Sequence, residues 1–441
     1  MGKFLLLFLV VIASYANDDF TISLFDAQTK KPLENFRVVV DNASVQTVSQ
    51  KVVVGKNHKV DILAIGYEKI SIHPSEDMEL YLKPFVVKGL YLSNYGVSYK
   101  PFIQNALNIA QTGKINTFVI DIKNENGMMS YKIDNPTVHE LGANKINTVR
   151  DIQKLLAVLK ENKIYSVARI AVFKDALLSQ KKPHLGIKTK SGKPYLDKQN
   201  VPWSDPFKKE VRDYNIAIGV EAAKAGFDEV QFDYVRFPDA VNYVTSKPST
   251  ATSRVEAINT FLGEAREKIN KEGAFVSADI FGYIMWYKGE MGLGQKLMSI
   301  LDNVDYISPM LYPSGFTFGI PGYKIPTENS YEVIHLSLKE AQKIVPDINP
   351  MQIRPWLQAF KDYGFDRRDY KGKEVYKQIQ ATKDFGKMGY MFWNPRNRYD
   401  VDLFEYKPKT QPKPEAIVAE ADADLEKQTS KAAAIVAKAE M

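Results

Sequence analysis

Gly226-Phe-Asp-Glu-Val-Gln-Phe-Asp-Tyr-Val-Arg-Phe-Pro238 is the stretch whose reading decides the fold. Helical stretches flank it at 206–225 and 253–272, while 229–235 is a short run rich in apolar and aromatic residues, as a strand requires. Side chains alternate along a strand, so Gln231, Asp233 and Val235 share one face, with Asp233 near the end of an otherwise apolar run. An ionised Asp there needs a partner, because leaving it unpaired costs several kcal/mol or shifts its pKa. Arg236, three residues on, is the nearest candidate in sequence.

Working outward, seven further runs have the same character: 87–92, 117–123, 165–173, 275–281, 304–310, 353–359 and 389–394. Helical stretches at 101–113, 148–162, 330–345 and 373–385 fall between them. Strands alternating with helices read as a parallel sheet covered by helices, and eight such units predict a (β/α)8 TIM barrel over residues 85–406, an α/β fold. An open doubly wound sheet is the alternative. Against it, Leu92-Ser-Asn-Tyr-Gly96 stands where a glycine-rich phosphate loop would follow the first strand.

In a barrel the carboxyl ends of the strands line the mouth where chemistry is done. Asp279 in Ser277-Ala-Asp-Ile-Phe-Gly282 lies at the level of Asp233 on the neighbouring strand. Adjacent strands run about 4.8 Å apart, which allows two carboxyl groups the roughly 5–5.5 Å spacing of retaining glycosidases. Like-charge coupling would raise one pKa, as a general acid requires. A structural pair bridged by Arg236 is the competing reading. Asp121 and Lys123, Arg169, Tyr312, the trio Arg354, Trp356 and Gln358, and Trp393 with Asn394 complete a polar and aromatic rim suited to sugar rings.

The long motif at 226–238, with Ser204-Asp-Pro-Phe207 and Asp213-Tyr-Asn-Ile-Ala217 before it, resembles a bacterial family of glycoside-hydrolase-like TIM-barrel domains of unknown function. Asp302-Asn-Val-Asp-Tyr-Ile-Ser-Pro-Met-Leu-Tyr-Pro313, Arg354-Pro-Trp-Leu-Gln358 and Phe392-Trp-Asn-Pro395 extend the likeness over nearly all of 86–405. The resemblance implies a barrel with a carbohydrate site and, by position, makes Asp233 the nucleophile-type carboxylate. Asp279 as acid rests on spacing, with Asp121 and Asp305 as alternatives.

Residues 17–84 carry short strand-like runs at 21–25, 36–40, 51–54, 59–63 and 79–82, which predict a small β-sandwich. Asp26-Ala-Gln-Thr-Lys-Lys-Pro-Leu33 and Ala64-Ile-Gly-Tyr67 resemble the transthyretin-like or carboxypeptidase-regulatory-like modules appended to exported enzymes. Such a module implies a spacer or stabilising part, with carbohydrate binding or docking as the other reading. Lys3, the apolar run 4–13 and Ser14-Tyr-Ala16 read as a signal peptide over residues 1–16, too short to span a bilayer. The expected location is therefore periplasmic or secreted, with no stable membrane insertion after removal. Residues 407–441 read as a Pro/Lys linker and an Ala/Glu/Lys-rich helical tail that could contact a partner.

Composition excludes several chemistries. With no Cys among 441 residues, thiol nucleophiles, disulfides and Cys-ligated metals are ruled out. The five His show no metal-binding spacing, so no metal or cofactor is expected and metal-dependent deacetylation is a weak third reading. A net charge of +7 without a dense basic stripe argues against nucleic acid, though Lys123, Arg169, Arg236 and Arg354 could favour an acidic glycan. The expected function is an exported glycoside hydrolase or transglycosidase acting on an envelope or extracellular polysaccharide. The alternative from another class is a non-catalytic glycan-binding scaffold.

Overall fold

A computed structural model describes residues 19–386 and 388–408, so the expected signal peptide and nearly all of the expected tail lie outside the described residues. The first part is a β-sandwich. Strands β1 (Asp19–Asp26), β4 (Lys51–Gly55) and β7 (Met78–Leu82) form one sheet, with β1 central, antiparallel to β4 and parallel to β7. Strands β2 (Phe36–Val40), β3 (Ser44–Val48), β5 (Val60–Leu63) and β6 (Ile70–Ile72) form an antiparallel second sheet in the order β3-β2-β5-β6. Ile22, Leu24, Phe36, Val38, Val52, Val54, Val60 and Ile62 fill the space between them. Strands β3 and β6 carry polar residues at their centres, and the apolar-run reading passed over both.

The second part is the expected closed barrel of eight parallel strands: β8 (Lys88–Leu92), β9 (Thr117–Lys123), β10 (Tyr165–Ala171), β11 (Glu229–Asp233), β12 (Phe275–Phe281), β13 (Tyr306–Met310), β14 (Trp356–Gln358) and β15 (Tyr390–Trp393). Strand β15 pairs with β8 to close it. Helices Lys100–Gln111, Ile152–Glu161, Lys209–Ala225, Ala251–Lys271, Ser330–Ile344 and Gly372–Phe385 form the outer ring, and the main core lies between them and the strands. A smaller core fills the barrel itself, from Val87, Tyr91, Val119, Val167, Trp356 and Met391. A side chain at Gly89 would place its Cβ 2.7 Å from Met391 Cγ, so glycine makes room for that packing.

The sandwich closes the amino-terminal floor of the barrel, the end away from the strand tips. Val39 and Leu63 pack on Phe275 and Tyr306, Arg37 pairs with the buried Asp305, and the Gly66 amide donates to Tyr306 Oη at 3.0 Å. Gly66 has a φ of +85° and lies so close to the barrel that a Cβ would meet Met351 Sδ at 2.6 Å. Asp305, one alternative for the general acid, is thus a floor residue, accepting also from the Val276 amide and Asn270 Nδ2.

Candidate active site

Strand register brings the predicted pair together. Strands β11 and β12 are aligned Gln231 with Ser277 and Phe232 with Ala278, so the next step sets Asp233 beside Asp279. Asp121 of β9 and Arg169 of β10 are register partners; Arg169 is aligned with Gln231, two residues before Asp233, and its long side chain reaches up to that carboxylate. Four charged side chains from four consecutive strands therefore meet at the top of the barrel.

Arg169 is the hub. Its Nη1 donates to Asp121 and its Nη2 to Asp233, while Nε lies 3.7 Å from Asp279 Oδ2. The guanidinium also lies over the rings of Trp393, 4.8 Å from centroid, and Tyr91, 5.6 Å. Two carboxylates hold Arg169 firmly charged despite its burial. The remaining lone pairs are met locally: Tyr91 Oη donates to Asp121 at 2.5 Å, the Tyr234 amide to Asp233 Oδ1 at 2.5 Å, and Trp356 Nε1 to Asp279 Oδ1 at 2.8 Å.

One guanidinium cannot neutralise three carboxylates, and the excess falls on Asp279. Burial, and then the charge of Asp233, push its carboxyl well above the usual range, outweighing the pull of Arg169 and the bond from Trp356. Burial also raises Asp121, opposed by Arg169 at its side. Asp279 is thus the carboxyl whose protonated form is most favoured, beside an Asp233 held in an ion pair. That is the division of labour expected of an acid and a nucleophile.

A cleft of about 300 Å³ opens above these groups. Of the predicted rim, Arg169, Arg236, Tyr312, Trp356 and Trp393 line it together with Asp233 and Asp279, whereas Asp121 lies behind Arg169. Five residues stand elsewhere than expected. Arg236 is not the counter-ion of Asp233: Tyr234 takes a left-handed φ of +50°, the chain turns, and Arg236 lies over Trp203, 5.0 Å from its ring centre. Lys123 does not share a face with Asp121. A bulge skips Ile122, so Lys123 pairs with Ile170 and points outward to Asp175, 2.7 Å away, Asn215 and the Ala171 carbonyl.

Arg354 lies at the floor, paired with Glu229 and stacked 3.3 Å from the centre of the Tyr306 ring. It starts the inward face of its strand, as alternation predicts, but at the floor and not at the mouth. Gln358 and Asn394 anchor loops: Gln358 Nε2 donates to Ser314 Oγ and Gln358 Oε1 accepts from the Ser314 amide, while Asn394 Nδ2 donates to the Ala359 and Arg398 carbonyls.

Residues not singled out also line the cleft, among them Tyr234, Tyr283, Phe316 and Tyr363. They sit on loops, where no alternation marks direction. Tyr91 is different: it closes the inward face of β8 above Gly89 and was legible from period two.

A (β/α)8 barrel with paired buried carboxyls and aromatic walls at its carboxyl-terminal mouth is an arrangement that suits glycoside hydrolysis. The chain belongs to the family described as "Putative glycosyl hydrolase domain", whose model matches residues 89–399. A hypothetical protein from Ruminiclostridium thermocellum is 36% identical over 43% of this chain and 96% of its own, with a TM-score of 0.38. The PgaB (BpsB) glycoside hydrolase domain from Bordetella bronchiseptica is similar in fold, at 12% identity over 74% of this chain and 100% of its own, TM-score 0.53. Alpha-L-fucosidase isoenzyme 2 from Paenibacillus thiaminolyticus is 13% identical over 78% of this chain and 50% of its own, TM-score 0.49. No curated protein matches the chain.

Proposed function

We propose that this glycoside hydrolase is exported and cleaves an envelope or extracellular polysaccharide with Asp279 as acid and base and Asp233 as the attacking carboxylate. The observation that carries the reading is the buried Asp279 carboxyl, raised well above its ordinary range next to an Asp233 that Arg169 holds as an ion pair. Asp279 gives its proton to the leaving oxygen while Asp233 attacks, or stabilises, the oxocarbenium-like centre. Arg169 pairs with Asp233 and orients it, and Trp356 Nε1 donates a hydrogen bond that stabilises the carboxylate Asp279 becomes on losing its proton. Neighbouring strands favour the short carboxyl separation that goes with retained configuration, which NMR of the first-formed sugar reads directly.

The test is product release from a panel of neutral, amino-sugar and uronic polysaccharides by wild type, Asp233→Asn and Asp279→Asn. Turnover of one glycan that falls by about 10²–10⁴ in each folded variant is the expected outcome. A glycan bound equally by all three with no product would instead make the barrel a binding scaffold. Export is supported by the charged and apolar start of the sequence. Amino-terminal sequencing of protein recovered outside the cytoplasm should begin at Asn17, and an intact Met1 in that fraction would refute cleavage after Ala16.

A further inference from the structure

We propose that the loops after β12, β13 and β14 form a rigid aromatic shelf that holds a second pyranose ring beyond the cleavage point, with Phe318 and Tyr363 as its exposed faces. The proposal rests on the glycosidase reading above and names the kind of chain the site takes: a polymer of pyranoses with equatorial substituents, whose rings present flat C–H faces.

Phe318 is 90% exposed, an unusual place for a large apolar side chain, and Tyr363 is 52% exposed. Neither sits on a loose tip. The Phe318 amide donates to Tyr283 Oη at 3.1 Å, and the same hydroxyl donates to the Gly319 carbonyl at 3.1 Å, so one tyrosine from the loop after β12 fixes the Phe318 turn. The Tyr283 ring packs edge-on against Phe316 and leads on to Phe318, with centroids 4.8 and 6.3 Å away.

Tyr363 is held as firmly. Its ring lies parallel to Phe360, 6° between planes, and the neighbouring Asp362 accepts from the amides of Gly364, Phe365 and Arg367. Asp362 also accepts from Ser314 Oγ at 2.6 Å, and Ser314 is bound in turn by Gln358. The two loops are thus locked to each other and to the tip of β14. Tyr283, Phe316 and Tyr363 all line the cleft that holds Asp233 and Asp279, so the shelf continues the site. Preordered aromatic faces cost little entropy on binding and pack the apolar side of a sugar, while rim hydroxyls stay in water.

The test is native affinity electrophoresis in hydroxyethyl cellulose and glycol chitin, two polymers of all-equatorial pyranoses. Wild type, Phe318→Ala, Tyr363→Ala and Met298→Ala, an exposed control on an outer helix, are compared. At least one polymer should retard wild type and the control. Each shelf variant should raise the dissociation constant roughly fivefold to tenfold, the scale of one aromatic contact, with an unchanged melting temperature. Equal retardation of all four proteins would overturn the shelf, as would no retardation of wild type by either polymer. If wild type meanwhile cleaves a glycan of the wider panel, the glycosidase reading survives that failure. If it cleaves none, both fall.

Discussion

Arg169 carries more of the site than its single charge suggests, because its fork reaches two carboxylates at once and its Nε approaches a third. A lysine is a point charge and cannot bridge in that way. Arg169→Lys should therefore lower kcat/KM by at least tenfold on whichever glycan is cleaved. Arg169→Met should also destabilise the fold by about 3–5 kcal/mol, since it leaves buried carboxylates without a counter-ion. Steady-state kinetics of Arg169→Lys and chemical denaturation of Arg169→Met, each beside wild type, measure the two effects. The pH dependence follows from Asp279. Its folded pKa is raised, so its contribution to stability is fully present below the ordinary carboxylate value and is lost as pH rises through the folded value. Asp279→Asn removes that loss. The variant should gain on wild type in melting temperature as pH rises above the ordinary carboxylate range, and a difference that stays constant with pH would refute the assignment. The wild-type rate should fall on the same alkaline side, where the acid has lost its proton.

The strands explain which part of this was legible. All eight barrel runs stand in the structure, because a strand buried on both faces is rich in β-branched and aromatic residues even where buried polar side chains punctuate its inward face. Alternation predicts inward Asp233 and Trp356, with Asp279 at the same level and Arg169 ending its apolar run, and all four side chains line the cleft. It failed in two physical ways. A bulge in β9 adds one residue and reverses the side of Lys123, which no composition signal announces. Height along a strand is also invisible to period two, so Arg354 was set at the mouth although it pairs with Glu229 at the floor. The ion pair between Arg169 and Asp233 joins residues 64 apart in sequence, and only the closed sheet makes them neighbours. Lys123→Met tests the correction. It should cost about 3–5 kcal/mol of stability by leaving Asp175 buried and unpaired, with KM unchanged. A raised KM with full stability would return Lys123 to the substrate.

At the scale of the molecule, the sandwich and the barrel share a buried seam at the floor. Arg37→Ala leaves Asp305 with neutral donors alone, so it should lower stability by about 3 kcal/mol while the two parts still melt in one transition. Two separated calorimetric transitions in the wild type would show that the seam does not couple them. The inward face of β11 sets the scale of separation: Glu229 belongs to the floor and Asp233 to the mouth, about 13 Å further along the strand at 3.3 Å per residue. Perturbations that far apart add nearly independently. Floor substitutions should thus shift melting temperature and spare turnover, and a variant combining Arg37→Ala with Phe318→Ala should show the simple sum. Because the sandwich secures the end of the barrel remote from the cleft, the loops at the mouth are released from holding the fold together. Exchanging those loops is then a route to new sugar specificity that leaves the scaffold's foldability intact.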